Sequence, residues 1–224
     1  MPPTTSRLGV IFDWDGVVID SSRQHEESWE RLAREEGRTL PPGHFKAGFG
    51  KKNDVIIPQI LGWTEGLAEV ERLSRRKEAL YREVVRETGV TVLPGVVDFL
   101  ARLRAAGVPC CIGSSTEREN IEIICARTGL REWFAGAVAA DDVTHGKPHP
   151  EVFLKAAARI GREPHHCVVL EDAFSGLEAA RAGGMRAIGV ATTHPADALR
   201  PHCDRVVARL DELQVRDLLD LFDA

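Results

Sequence analysis

Apolar runs of strand length, rich in Val, Ile and Cys, recur at residues 8–12, 109–113, 167–170 and 187–190, with weaker ones at 136–140 and 205–207. None alternates with polar residues, so each predicts a strand buried on both faces. Helical periodicity fills the intervals at 96–106, 118–128, 151–160, 175–182 and 211–222, and Gly107, Gly129, Gly161 and Gly183 stand where C-cap glycines end helices. Strand and helix alternating at this spacing predict an α/β fold, a Rossmann-like parallel sheet with helices on both faces.

The rhythm breaks between residues 21 and 92, which show no strand pattern and read as helices at 26–36, 53–61 and 67–87. The α/β pattern resumes at the turn signal Leu93-Pro94-Gly95. The simplest organisation is a core of residues 1–20 and 93–224 with a small helical cap domain, residues 21–92, inserted on two short linkers that act as hinges.

Composition narrows the function. The 224 residues suffice for a core and an insert, and the 43% hydrophobic and 28% charged fractions are those of a soluble globular protein. A net charge of −5, spread along the chain, offers no basic stripe, so nucleic acid is not an expected partner. No run approaches the roughly 18 apolar residues of a membrane span. The expectation is a cytoplasmic monomer without membrane contact. Five cysteines, Cys110, Cys111, Cys125, Cys167 and Cys203, lack a CxxC spacing and read as reduced, mostly buried thiols.

Ligands of open parallel sheets bind beyond the carboxyl ends of the strands. Four polar clusters fall there: Asp13-Trp14-Asp15-Gly16, Ser114-Ser115-Thr116, Gly146-Lys147-Pro148 and Glu171-Asp172. Each alone is an ordinary cap or turn. Together, four acids, hydroxyls and one lysine at a single rim call for a cation, and hard oxygen ligands favour Mg²⁺.

These four segments, FDWDG, Ser114 after a short apolar strand, GKPHPEVF and LEDAFSGLEAARAGGM, resemble in order the four motifs of the haloacid-dehalogenase-like hydrolases. The stretch DGVVIDSSRQHEESWERLAREEG is similar to the start of the helical cap in the subfamily of β-phosphoglucomutase and many sugar phosphatases. The resemblance implies that Asp13 attacks phosphorus to form an aspartyl-phosphate. It makes Asp15 the general acid and base, which requires either a raised pKa or proton donation only on cap closure. It further implies that Ser114 binds phosphoryl oxygens and that Lys147 neutralises charge near Asp13. The metal would be held by Asp13, Asp172, the main-chain carbonyl of Asp15 and, through water, Glu171. Ser115 and Thr116 join the phosphate site. Dehalogenation needs neither metal nor Asp15 and stands well behind.

His25 lies on the inner stripe of the first cap helix, either as a packed residue or, by the resemblance, beside the acid. The segment Gly48-Phe49-Gly50-Lys51-Lys52-Asn53-Asp54 falls where subfamily members read substrate, which makes Lys52 and Asn53 candidates; its bland alternative is a solvated basic turn. Asn120 either supports its own helix or serves the phosphate site. The expected function is hydrolysis of a small phosphorylated metabolite, by resemblance a sugar phosphate, with a phosphosugar mutase as alternative and an inactive scaffold as a third reading. Alignment through the Ile-Leu of this segment puts Asn53 where the mutase has an arginine, which favours the phosphatase. A fainter likeness of residues 63–81 and of the C-terminus to plant-type phosphatases of flavin biosynthesis is too short to set the substrate.

Overall fold

Four consecutive apolar residues with no exposed face, Gly9–Phe12, form β1, the central strand of the sheet. The computed structural model describes residues 4–48 and 50–223, so Phe49 of the candidate substrate segment lies outside the described residues. In chain order there follow β2 (Ile19–Asp20), α1 (Ser22–Glu35), α2 (His44–Gly48), α3 (Asn53–Val55), α4 (Leu67–Thr88) and β3 (Thr91–Val92). The second half runs α5 (Val96–Ala105), β4 (Cys110–Gly113), α6 (Arg118–Thr128), β5 (Ala137–Val138), α7 (Glu151–Arg159), β6 (Cys167–Glu171), α8 (Phe174–Ala182), β7 (Arg186–Val190), α9 (Ala196–Leu199), β8 (Arg205–Val207) and α10 (Val215–Asp220).

Among the described residues the main sheet has the order β5-β4-β1-β6-β7-β8 and every pairing in it is parallel. Alternation along β1 divides the core: Val10 and Phe12 join an apolar cluster with α5 and α6, while Ile11 joins Phe153, Val169 and Leu177 on the opposite face. The strand order reverses at β1, with β4 on one side and β6 on the other, which opens a crevice beyond their carboxyl ends. Cys110, Cys111, Cys125 and Cys167 are buried free thiols, and burial raises their pKa to about 11 or 12. They are not nucleophiles.

Residues 22–88 supply helices around a separate cluster of Trp29, Leu32, Ile56, Ile57, Val70, Leu73 and Leu80. The two crossings to the sheet pair with each other: β2 and β3 form an antiparallel ladder, Ile19 opposite Val92, and Leu93 donates to the Val18 carbonyl at 3.0 Å. Two-residue strands carry no periodicity, so this ladder is invisible to pattern reading.

Three local expectations change. The helix expected over 53–61 widens after Val55 into a π-turn, Ile56–Ile60, because Pro58 has no N–H for the carbonyl four residues back. The helix expected over 211–222 splits, since Glu212 accepts from the Arg209 N–H at 2.9 Å and Asp217 from the Gln214 N–H at 2.7 Å, starting two short helices. At the end of α8 the left-handed residue is Gly184, at φ 71°, while Gly183 stays near φ −79°.

Candidate active site

Trp14 places the first motif. Its indole is fully buried, edge-on to Phe134 at 6.4 Å, in the cluster below the sheet end, which leaves the flanking Asp13 and Asp15 to line the cavity above. Lys147 bridges two carboxylates, with its Nζ 2.5 Å from Asp13 Oδ1 and 2.6 Å from Glu171 Oε1. The other Glu171 oxygen accepts from the Ala173 N–H at 2.6 Å, and an Asp172 oxygen accepts from the Thr193 hydroxyl. A β-carbon at Gly16 would collide with the Asp172 carboxylate and one at Gly176 with that of Glu171, so both motifs need glycine there.

Asp13, Glu171 and Asp172 bring ligand oxygens within 4.8 Å of one another. Three buried carboxylates face one ammonium, and the electrostatics show the imbalance. Burial, opposed by Lys147 and reinforced by Glu171, raises the Asp13 pKa to about 7. Asp172 is raised well above the usual range, by burial first and then by Glu171 and Asp13. A divalent cation would relieve this crowding, and the all-oxygen donor set suits Mg²⁺. Hence, without metal, Asp13 holds a proton between about pH 4 and 7 that the unfolded chain has released. Its contribution therefore falls as pH rises through that window. A Mg²⁺ ion held there would have to displace this proton, so its apparent affinity should fall by about tenfold or more per unit as pH drops below about 7. Thermal shifts at fixed Mg²⁺ from pH 5.5 to 8 test this; a flat response would remove Asp13 from the metal site.

Asp15 turns away from that cluster towards the helical segment. Its carboxylate accepts from the Ser21 hydroxyl and lies 3.3 Å from His25 Nε2. Lys77 Nζ stands 2.8 Å from His25 Nδ1 and 2.9 Å from Glu78 Oε1, and His25 stacks on Tyr81 at 4.0 Å. An ammonium can only donate, so Nδ1 accepts and the imidazole proton sits on Nε2, aimed at Asp15. Burial alone would raise the Asp15 pKa, yet the hydrogen bonds from His25 and Ser21 and the charge of Lys77 outweigh it and hold the group below its ordinary value. Of the two routes open to an acid at this position, a standing upward shift is therefore not the one in this arrangement.

Ser114, Ser115 and Thr116 follow β4 and line the same cavity of about 400 Å³ with Asp13, Asp15, His25, Lys52, Asn53 and Lys147. Ser114 Oγ accepts from the Thr116 N–H at 3.1 Å, leaving its own proton to donate. Asn120 does support its surroundings: its amide donates to Thr116 Oγ1 at 3.0 Å and to Glu78 Oε2 at 2.6 Å. Lys52 lays its stem against Gly146, beside Lys147. Asn53 lines the cavity but spends its N–H groups on α4, donating to Glu78 Oε1 at 2.7 Å and Ser74 Oγ at 3.1 Å. Glu171 and Asp172 are buried beneath the cavity floor.

Sequence reading missed Ser21, Thr193, Lys77 and Glu78. The last pair did leave a signal, because Lys77 interrupts the apolar stripe Val70, Leu73, Leu80, Val84 of α4. Burial opposes ionisation of Glu78, but Lys77 first, and also the Asn53 hydrogen bond, bring its pKa down to about 2. Arg82 extends this junction, donating to Glu117 at 3.0 Å and to Asn120 at 3.1 Å.

This arrangement, a β-strand ending in an aspartate bridged by lysine to a second acidic loop, defines a class: the chain belongs to the haloacid dehalogenase-like hydrolase family, whose model matches residues 8–184. The chloroplastic 5-amino-6-(5-phospho-D-ribitylamino)uracil phosphatase of Arabidopsis thaliana is 36% identical over 96% of this chain. This chain spans 58% of the length of that relative. The fructose-1-phosphate phosphatase YqaB of Escherichia coli is 34% identical over 81% of the chain and 95% of its own. Among solved structures, a family IA HAD hydrolase from Entamoeba histolytica superposes with a TM-score of 0.87 at 26% identity, covering 97% of this chain and 100% of that one. The fold and this kinship place the chain among phosphoric monoester hydrolases. No helix among the described residues is long and apolar enough to cross a membrane.

Proposed function

We propose that the chain is a Mg²⁺-dependent phosphatase that hydrolyses a small phosphorylated metabolite through phosphorylated Asp13. One observation carries this reading: an Asp13 oxygen on the cavity floor, 2.5 Å from Lys147, stands within ligand distance of Glu171 and Asp172, with the Ser114 to Thr116 hydroxyls lining the same space. Mg²⁺, held by Asp13, Asp172, the Asp15 carbonyl and, through water, Glu171, would supply positive charge to the phosphoryl oxygens.

In the first step the Asp13 carboxylate forms a bond to phosphorus, the ester P–O bond breaks, and the leaving oxygen takes a proton from Asp15. Substrate must first loosen the bonds from Ser21 and His25 that keep Asp15 ionised, so that Asp15 takes up, from solvent or from the phosphate monoanion, the proton it then gives to the leaving oxygen. In the second step water attacks phosphorus, Asp15 takes its proton, and phosphate leaves with the Asp13 carboxylate restored. Lys147 and Ser114 stabilise charge on the phosphoryl group in both steps.

Glu78 sets this reading above the mutase. A mutase must grip a bisphosphate by its second phosphate, but Asn53 on the cap-side wall spends its amide N–H groups on Glu78 and Ser74 and has none to offer such a group. Steady Mg²⁺-dependent release of phosphate from p-nitrophenyl phosphate, abolished by EDTA, is expected; absence of turnover on this and on fructose 1-phosphate would sink the reading. With β-glucose 1-phosphate and a trace of glucose 1,6-bisphosphate, fast isomerisation with little phosphate released would promote the mutase.

Asp15→Asn separates the acid role from the rest. It should cost sugar phosphates about 10²–10⁴-fold in kcat, the usual range for acid catalysis, while p-nitrophenyl phosphate, whose leaving group needs no proton, loses far less. Equal losses on both would contradict the assignment.

A further inference from the structure

Beyond the last residue of β7 the chain reads Ala191-Thr192-Thr193. The Ala191 N–H donates to the Val207 carbonyl of β8 at 2.9 Å and the Thr192 N–H to the Val190 carbonyl at 2.9 Å, which fixes the backbone as it leaves the sheet. The two threonine side chains then bond segments that follow other strands. Thr192 Oγ1 donates to the Gly16 carbonyl at 2.5 Å, in the turn after β1, and Thr193 Oγ1 donates to Asp172 Oδ2, after β6. Neither threonine lines the cavity.

Asp172 depends on the second of these bonds. Its buried carboxylate lies within ligand distance of Asp13 and Glu171, so like charges push on it from both. Lys147 bonds Asp13 and Glu171 but not Asp172. Among the described residues the Thr193 hydroxyl is the one hydrogen-bond donor that reaches the Asp172 carboxylate. Gly16 closes in the same oxygen: a β-carbon there would lie 2.0 Å from Asp172 Oδ2 and 3.2 Å from Thr193 Oγ1. Oδ2 is thus held between Gly16 and Thr193, while Oδ1 accepts no hydrogen bond. Thr192 in turn holds Gly16, the residue that follows the main-chain carbonyl of Asp15.

From this closed set of contacts we propose that Thr192 and Thr193 are positioning residues that clamp the Mg²⁺ site. Thr193 fixes the rotation of the Asp172 carboxylate against the repulsion of Asp13 and Glu171 and leaves Oδ1 to the cation. Thr192 keeps the Asp15-Gly16 turn in register with it. A hydroxyl suits this task because it donates one hydrogen bond and brings no charge, so Asp172 keeps its full negative charge for the cation; an ammonium or guanidinium in its place would compete with Mg²⁺. The proposal rests on the metal-dependent reading above, and its test measures metal binding without substrate.

The test is calorimetric titration with Mg²⁺ at pH 8. Thr193→Val keeps the shape and removes the donor; it should weaken Mg²⁺ binding about 10–100-fold, the usual cost of losing a hydrogen bond to a metal-ligating side chain. Thr193→Ser, which keeps the donor, should restore most of the affinity. Thr192→Val should weaken binding less, because it acts only through the Gly16 turn. The melting temperature of Thr193→Val in EDTA should stay close to that of the unsubstituted protein, and the Mg²⁺ concentration that half-saturates p-nitrophenyl phosphate hydrolysis should rise by the same factor as the dissociation constant. Unchanged Mg²⁺ affinity in Thr193→Val, or an equal loss in Thr193→Ser, would overturn the clamp. Should Thr193→Val not fold, Thr193→Ser and Thr193→Ala carry the same contrast, since they differ by one hydroxyl; an alanine variant that also fails to fold while the serine variant folds would make the hydroxyl structural and reject the proposal. If the unsubstituted protein binds Mg²⁺ but hydrolyses no monoester, the phosphatase reading falls and the calorimetry alone decides the clamp; if it binds no Mg²⁺, the clamp is rejected.

Discussion

Asp13→Asn is expected to fold and to lose turnover by about 10⁴-fold or more, the scale seen when a nucleophile is removed from a covalent mechanism. An amide oxygen cannot form the acyl-phosphate and is a poor ligand for Mg²⁺. The substitution should not destabilise the metal-free protein. Burial and the neighbouring Glu171 raise the Asp13 pKa to about 7, so above that pH its charge opposes folding, and a neutral amide of the same shape removes that opposition. The sharp form of the prediction is therefore a pair of measurements: phosphate release close to background on every monoester, and a melting temperature in EDTA at pH 8 no lower than that of the unsubstituted protein. Activity near that of the unsubstituted protein would end the mechanism; a collapsed melting temperature would show that the carboxylate is structural.

Lys147→Met should be costly in both respects. Burial alone would discharge this lysine, but Asp13 and Glu171, through charge and hydrogen bonds, outweigh it and hold the ammonium charged. Removing it leaves Asp13, Glu171 and Asp172 together with no ammonium bridge. Breaking one side of a buried ion pair typically costs about 3–5 kcal/mol, and that loss is expected here in EDTA at pH 8. The sign with pH follows from the carboxylates. Without Lys147 their pKa values rise further, so the folded state keeps protons over a wider range, and the deficit against the unsubstituted protein grows with pH and shrinks towards pH 5. Mg²⁺ should restore much of the melting temperature yet not turnover, which should stay down about 10³-fold because charge stabilisation of the transferring phosphoryl group is gone. Thermal melts at pH 5 and 8, with and without Mg²⁺, and kcat on p-nitrophenyl phosphate decide it. A deficit that shrinks as pH rises would contradict the electrostatic account.

The sequence by itself determined the parallel core and the polar clusters at its carboxyl rim. Strands buried on both faces carry their signal in four or five consecutive residues, so β1, β4, β6 and β7 appear within one residue of their ends. Because ligands of such sheets bind at strand ends, strand positions alone place Asp13, Ser114 and Asp172 at one rim. Lys147 followed from its motif, since its loop has no periodicity. What only the tertiary structure decided lies where residues distant in sequence meet. Lys77 reaches His25 across 52 positions and Asn120 reaches Glu78 across 42, and no local pattern encodes either contact. The ionised state of Asp15 depends on these partners rather than on its motif. Asn53 likewise stands where the sequence put it, but its amide faces Glu78 because α4 packs beside α3. A strand's burial is written in its own residues, whereas the charge state of a carboxylate is set by what the rest of the chain brings alongside.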